Sequence, residues 1–394
     1  MMRIYLDHAA TTPLDEEVLQ KMLPYFTEKF GNTHSQHNYG KETAIAVDKA
    51  RKQVADALGC SPNEIYFTAS GTESDNWAIK GTAFANRENG NHIIISSIEH
   101  HAVLNSAKWL EKNGFAVTYL PVDEFGVIKL DELKKAITPK TVLVSVMLAN
   151  NEVGTIEPIN EVVEICHAKG ILVHTDAVQA VGAMEINLKE LGVDLASVSA
   201  HKFYGPKGVG ALFIKNGIRI DKLIIGGGQE RNQRGGTTNT PAIVGMGEAI
   251  ETAVRDMQKN NTYVKELRDY FVKRVTNEIP YVKYNGHPTN RLPSNANFSF
   301  EFIEGEGILM LLDLGGVAVS SGSACSSGTL DPSHVLLAMG VDIVLAHGSL
   351  RFSLGKHNTK EEIDYTVDLL KKTVERLRKM SPLFTLKEGE IKNV

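Results

Sequence analysis

Cysteine is scarce in this chain. There are three among 394 residues, Cys60, Cys166 and Cys325, with no CxxC pair. So sparse and odd a set excludes a disulfide framework and a zinc ribbon. Long apolar runs are missing as well, and none approaches the ~20 residues needed to cross a bilayer. The start, Met1-Met2-Arg3-Ile4-Tyr5-Leu6-Asp7, lacks the apolar core and small-residue cleavage site of a signal peptide. Strong charge of one sign is also lacking. A net charge of −5 gives no reason to expect a nucleic-acid or membrane partner. A cytoplasmic location is the expectation. What remains is an ordinary soluble balance, 42% hydrophobic and 23% charged, in a chain long enough for two domains.

From Glu64 to Lys215 apolar, β-branched runs alternate with helical stretches. The runs are 65–67, 92–96, 117–120, 141–146, 171–174, 195–198 and 211–214. Several lack alternation, as strands covered on both faces do. The pattern predicts an α/β fold, a large domain with a mainly parallel sheet flanked by helices. The ends differ. Val18, Leu19, Met22, Leu23 and Phe26 mark an amphipathic helix capped by Asp15, and a second helix covers about 41–58. Thr359-Lys360-Glu361-Glu362 is a capping box before the stripe Ile363, Val367, Leu370, Val374 and Leu377. Residues 296–302 and 349–354 read as strands, and one long helix from near Ala242 should join the two units. The expected division is 15–260 for the large domain. The chain ends, 1–14 and 261–394, build a smaller α+β domain that carries Cys325.

Ligands of open α/β sheets bind beyond the carboxyl ends of the strands, and four segments lie there. Ser70-Gly71-Thr72-Glu73 follows a strand and opens a helix, as a phosphate cradle or as a plain helix cap. Asp176, after an apolar strand, needs a cation; a pyridinium nitrogen suits it, and a helix cap or magnesium ligand would also place an aspartate there. Lys202 lies after a strand and before a Gly/Pro-rich turn. Alone it reads as a surface lysine; held beside a cofactor its amine can form a Schiff base. Ser199 and His201 flank it and could bind phosphate. His100 follows another strand and could stack on a flat ring or simply start a helix. Cys166 sits on the apolar side of a helix, and Cys60 in a connection, so both read as inert. Cys325 is different. Its neighbours Ser320-Ser321-Gly322-Ser323-Ala324 and Ser326-Ser327-Gly328 are small and polar, which predicts an exposed, mobile loop.

Motifs in one order span nearly the whole chain. They include Phe30-Gly31-Asn32, Gly71-Thr72-Glu73-Ser74-Asp75-Asn76, Glu99-His100 and Ala149-Asn150-Asn151-Glu152-Val153-Gly154-Thr155. Thr175-Asp176-Ala177-Val178-Gln179, Ser199-Ala200-His201-Lys202, Arg234-Gly235-Gly236-Thr237, Ser321-Gly322-Ser323-Ala324-Cys325 and Arg351-Phe352-Ser353-Leu354-Gly355 follow. On these residues the chain resembles the class V aminotransferase group of pyridoxal-phosphate enzymes, and within it the cysteine desulfurases of the NifS/IscS type.

The resemblance implies pyridoxal 5'-phosphate held covalently by Lys202, which also shuttles a proton. Asp176 would pair with the ring nitrogen, Gln179 with the ring hydroxyl, and His100 would stack on the ring. Gly71, Thr72, Ser199 and His201 would hold the phosphate. Thr237 would reach the phosphate of a partner subunit, implying a homodimer. Asn151 and Arg351 would bind the carboxylate of L-cysteine, helped by Asn32. Cys325 would take the sulfur as a persulfide, leaving alanine, and pass it to an acceptor, an iron–sulfur scaffold being the expected one. Ser-Gly-Ser-Ala-Cys places the chain with the longer-loop group rather than the group with Arg-x-Gly-His-x-Cys. Asp7-His8-Ala9, Asn32-Thr33 and Gly235-Gly236-Thr237 depart from the commoner family pattern without removing a catalytic group. Selenocysteine cleavage would use the same geometry. A non-enzymatic iron–sulfur scaffold is disfavoured, because three scattered cysteines supply no four-thiolate site.

Overall fold

The computed structural model describes residues 3–321 and 331–384. Cys325 and its immediate neighbours lie outside the described residues. Seven strands form one sheet in the order Ile65–Thr68, Gly210–Ile214, Leu195–Ser199, Leu172–Asp176, Thr141–Ser145, His92–Ser96 and Ala116–Leu120. Gly210–Ile214 runs against both neighbours, and the other pairings are parallel. The strands His92–Ser96, Thr141–Ser145 and Leu195–Ser199 are buried along their whole length, which is why their sequences do not alternate. The carboxyl ends of the parallel strands share one edge, so Thr68, Ser96, Asp176 and Ser199 open onto a common region.

The helical readings hold in outline. Asp15 caps Glu16–Met22, its carboxylate accepting from the Glu17 amide at 3.0 Å. The second helix is Asn38–Ala57 and lies against Thr240–Arg255. Their approach requires Gly247: a Cβ there would come within 2.8 Å of the Ala50 backbone. The single long helix expected from near Ala242 is two helices. Thr240–Arg255 ends at Asp256, where φ −98° and ψ 2° leave the helical range, and Met257–Glu278 follows. The Asp256 amide still donates to the Thr252 carbonyl at 3.0 Å, and the break falls after it.

A second sheet is antiparallel, in the order Ser320–Ser321, Ser349–Ser353, Asn295–Phe300 and Val282–Asn285. The N-terminal strand Ile4–Tyr5 pairs with Val317–Ala318, and Asp7 bridges to Ser353. Phe271, Phe298 and Phe352 pack edge to face beneath this sheet, with Ile363, Val367 and Leu370 from the capped helix Lys360–Met380. Ile4 and Leu6 join the same apolar cluster, so the first residues of the chain are tied to the last third. Thr359 and Glu362 form the expected capping box.

Phe271→Ala removes a fully buried ring and should cost about 3–5 kcal/mol, whereas Thr359→Ala should cost about 1 kcal/mol. Denaturant unfolding followed by far-UV circular dichroism checks both. Equal losses would contradict this ranking of ring against cap.

Candidate active site

A cavity of about 380 Å³ opens at the carboxyl edge of the large sheet. Ten of the residues singled out from the sequence line it: Gly71, Thr72, His100, Asn151, Asp176, Gln179, Ser199, His201, Lys202 and Arg351. Nine come from strand ends or the turns after them in the large sheet. Arg351 comes from the other sheet, in the strand Ser349–Ser353, so the cavity lies where the two sheets face each other.

Each side chain is placed by local structure. Asp176 is the last residue of its strand, and its Oδ1 accepts from the Val178 amide at 2.9 Å. It is buried, and burial pushes its carboxyl above the usual range, against the pull of Val178 and Lys202. Asp75 lines the same floor. Burial and the nearby Asp176 raise it well above its ordinary value. Its Oδ1 has no hydrogen-bond partner among the described residues. Two desolvated carboxyls on one floor favour a cationic or proton-carrying ring above them.

Lys202 ends the short turn Ala200–Lys202 that follows the strand Leu195–Ser199. Its amine donates to the carbonyls of Ala9 at 2.5 Å and Ala10 at 2.7 Å. Gln179 donates to the same Ala9 carbonyl at 3.0 Å. His100 caps the helix His101–Glu111, its Nδ1 accepting from the Ala102 amide at 3.1 Å. Burial first, then Lys202 and two neighbouring histidines, lowers His100 to about 4. It is neutral at neutral pH, with the proton on Nε2. His201 is lowered to about 4 by burial and by Lys202, and its Nδ1 lies 3.1 Å from the Thr11 hydroxyl.

Ser70 caps the helix that begins at Gly71, accepting from the Glu73 amide at 3.1 Å. Cap and cradle are therefore the same structure: Ser70 satisfies one amide while Gly71 and Thr72 face the cavity. A Cβ on Gly71 would come within 2.9 Å of the Val178 side chain and 3.3 Å of Ser199. The missing side chain lets Val178 and Ser199 close in on this turn.

The guanidinium of Arg351 is oriented by two groups. Nη2 donates to Asp7 at 2.9 Å and Nη1 to the Asn151 carbonyl at 3.2 Å. Its Nε is buried with no partner among the described residues. A carboxylate ligand suits that free edge. Asp7, the Ala9 and Ala10 carbonyls and Asp75 were not given roles from the sequence. Asp7 and Asp75 sat inside quoted motifs, but only tertiary contact shows what they touch. The two backbone carbonyls carry no side-chain signal at all.

Two expected site residues are not brought to the cavity in this chain. Asn32 accepts from the His34 amide at 3.0 Å in a turn, with Thr33 bonded to Thr238 at 3.2 Å. Thr237 lines a separate pocket with Gln229, Glu230 and Arg234. Arg234 pairs with both oxygens of Glu73, at 2.8 and 3.0 Å, which ties this stretch to the residue after Thr72. Cys60 and Cys166 are buried, and burial pushes both thiols up to about 12. Neither is a nucleophile at neutral pH.

The family model of aminotransferase class-V matches residues 4–366. The chain is 54% identical over 384 residues to a protein of Clostridium botulinum named cysteine desulfurase IscS, with 97% of each chain covered. The chain belongs to the class-V aminotransferases, and within them to the cysteine desulfurases. A solved structure titled NifS-like protein superposes with a TM-score of 0.90 at 43% identity, covering 95% of this chain and 100% of that one. Another, titled SspA in complex with cysteine, gives 0.80 at 36% identity over 90% of this chain and 100% of that one. Enzymes of this family depend on pyridoxal phosphate. The cavity suits that cofactor in its donor set: an amine, a buried carboxylate, the helix start at Gly71 and Thr72, and a neutral imidazole.

The raised carboxyl of Asp176 has a stability consequence. A carboxyl whose folded value exceeds its unfolded value makes the folded state lose stability as pH rises through that interval. In cofactor-free protein, Asp176→Asn should therefore be more stable than the native chain at about pH 8, by on the order of 1 kcal/mol or more. The gain should vanish below about pH 3.9. Thermal melts across pH test this; a variant less stable at every pH would contradict it.

Proposed function

We propose that this chain converts L-cysteine to L-alanine and retains the sulfur as a persulfide on Cys325. The observation that carries the proposal is the meeting of Lys202, Asp176 and Arg351 in one cavity, one end suited to a cationic ring and the other to a carboxylate. Bound pyridoxal phosphate would supply a Schiff-base linkage to the substrate amine and a ring that accepts the electron pair from the substrate's α-carbon.

The chain's own residues supply the rest. Lys202 would hold the cofactor covalently; once displaced, its amine moves a proton at the α-carbon, with the Ala9 and Ala10 carbonyls as acceptors for its ammonium form. Asp176 would keep the ring nitrogen protonated. Gln179 would hold the ring hydroxyl and His100 would cover the ring face, its neutral Nε2–H able to donate. Gly71, Thr72, Ser199 and His201 would hold the phosphate. Arg351 and Asn151 would fix the substrate carboxylate, aided by Asn32. The Cys325 thiolate attacks the substrate sulfur. An S–S bond forms as the Cβ–S bond breaks, and the electron pair left on carbon takes a proton, giving alanine. With Cys60 and Cys166 buried, the sulfur-accepting role falls to Cys325.

The wider assignments belong to the same proposal. Thr237 reaches the phosphate of a partner subunit, so the enzyme is a homodimer. The acceptor of the persulfide is an iron–sulfur scaffold protein, and the enzyme works in the cytoplasm. No described helix is long and apolar enough to cross a membrane. The chain divides into a large unit of 15–260 and a second of 1–14 and 261–394. One apolar cluster lying wholly within the second unit and one lying wholly within the first support that division, although the largest cluster also takes in Leu292, Val335, Leu336, Met339, Val341 and Ala346.

Lys202→Ala should lose the cofactor's visible absorbance and alanine formation. Cys325→Ala should keep the absorbance yet release no sulfide from L-cysteine with a reducing thiol. Native-rate sulfide release by the cysteine variant would overturn the mechanism.

A further inference from the structure

The chain leaves the described region at Ser321 and returns at Asp331, with Cys325 between. Both flanking ends are fastened to the active site, and by different means. Upstream, Ser320 and Ser321 pair with Arg351 and Leu350 in the antiparallel sheet. That end therefore rides on the strand that holds the substrate-carboxylate arginine.

Downstream there is no strand. Two adjacent residues make the connection instead. The Ser333 hydroxyl donates to the carboxylate of Glu152, and its oxygen accepts from the Leu336 amide at 3.2 Å, capping the helix His334–Ala338. The next residue, His334, donates from Nε2 to the Glu99 carbonyl at 3.0 Å. Glu152 directly follows Asn151, and Glu99 directly precedes His100. Ser333 is 2% exposed and Glu152 5%, so water does not compete for this contact. Burial raises the Glu152 carboxyl to about 7, with Ser333 and Arg351 pulling it down.

The apolar faces of Val335, Leu336 and Met339 already hold the helix in the large core. Burial of that kind is non-directional and tolerates small slides. Directional hydrogen bonds at the first residues of the helix set its register against Asn151 and His100. Ser333 lies eight positions after Cys325, so this contact fixes the downstream point from which the thiol is tethered.

We infer that Ser333 and His334 are positioning residues for sulfur transfer, fastening the downstream end of the Cys325 segment to the backbone beside Asn151 and His100 through Glu152 and the Glu99 carbonyl. The inference rests on the desulfurase reading above. Neither Ser333 nor His334 lines the cavity, so their loss should bear on thiol attack more than on cofactor binding or substrate capture.

The test uses the holoenzyme in single-turnover mode without added thiol, measuring alanine formed per site. Cofactor absorbance and the cysteine concentration giving half-maximal spectral response are measured in parallel. Ser333→Ala and His334→Ala should keep the absorbance and the half-maximal concentration, while alanine formation slows about ten- to a hundredfold. Glu152→Gln keeps an oxygen that accepts from Ser333, and should stay within about threefold of the native rate, whereas Glu152→Ala should behave like Ser333→Ala. Native-rate turnover by Ser333→Ala would overturn the inference. So would a fall in rate matched by an equal rise in the half-maximal concentration, because that marks a general loss of the site. Cys325→Ala runs alongside: alanine formed at the native rate there sinks the desulfurase reading itself, whatever the Ser333 variant does.

Discussion

A carboxylate held out of water loses hydration that only a cation or a set of donors can replace. At Asp176 the protein supplies one amide, from Val178, and the field of Lys202, and the carboxyl still sits above its ordinary range. Asp75 on the same floor makes the deficit larger. The rest of the site follows from that constraint. A ring with a protonated nitrogen relieves it, a lysine on the neighbouring strand end can hold such a ring, and a neutral histidine can cover it without adding a competing charge. The parallel sheet is what brings these groups together, because its strands deliver Thr68, Ser96, Asp176 and Ser199 to one edge.

The substrate side is built on a different principle. Arg351 belongs to the antiparallel sheet and is oriented by Asp7 from the chain's start and by the Asn151 carbonyl from the large sheet. Three distant stretches of sequence thus fix one guanidinium. Its Nε is buried with no hydrogen-bond partner among the described residues. The residues that flank the Cys325 segment are held by two different elements: Ser320 and Ser321 by the strand of Arg351, and Ser333 by Glu152.

Much of this was legible in the sequence. Apolar, β-branched runs gave the seven strands of the large sheet within a residue or two, since strands covered on both faces need no polar alternation. Asp15 and the Thr359–Glu362 box marked helix starts, because caps are local hydrogen bonds. The long helix from near Ala242 is two, and no Gly or Pro beside Asp256 marks the break in the sequence. Seven residues of the cavity, Gly71, Thr72, His100, Asp176, Ser199, His201 and Lys202, were legible from their places at strand ends, and Asn151, Gln179 and Arg351 only from the resemblance. Asn32 and Thr237 do not line this cavity.

The sequence by itself determined the alternation of strands and helices, the residue types at the strand ends and the motif order that marks the family. Those are short-range properties, set by periodicity, capping and composition. Tertiary structure alone decided that Asp7 orients Arg351, that backbone carbonyls of Ala9 and Ala10 receive Lys202, and that Ser333 meets Glu152. Each of these joins residues more than a hundred positions apart, through a carboxylate, a backbone carbonyl or a buried hydroxyl. Lys202 shows the difference best. Its place after a strand was readable from its neighbours, but the carbonyls it meets come from the other end of the chain, and only folding of the N-terminal strand against Val317–Ala318 puts them there.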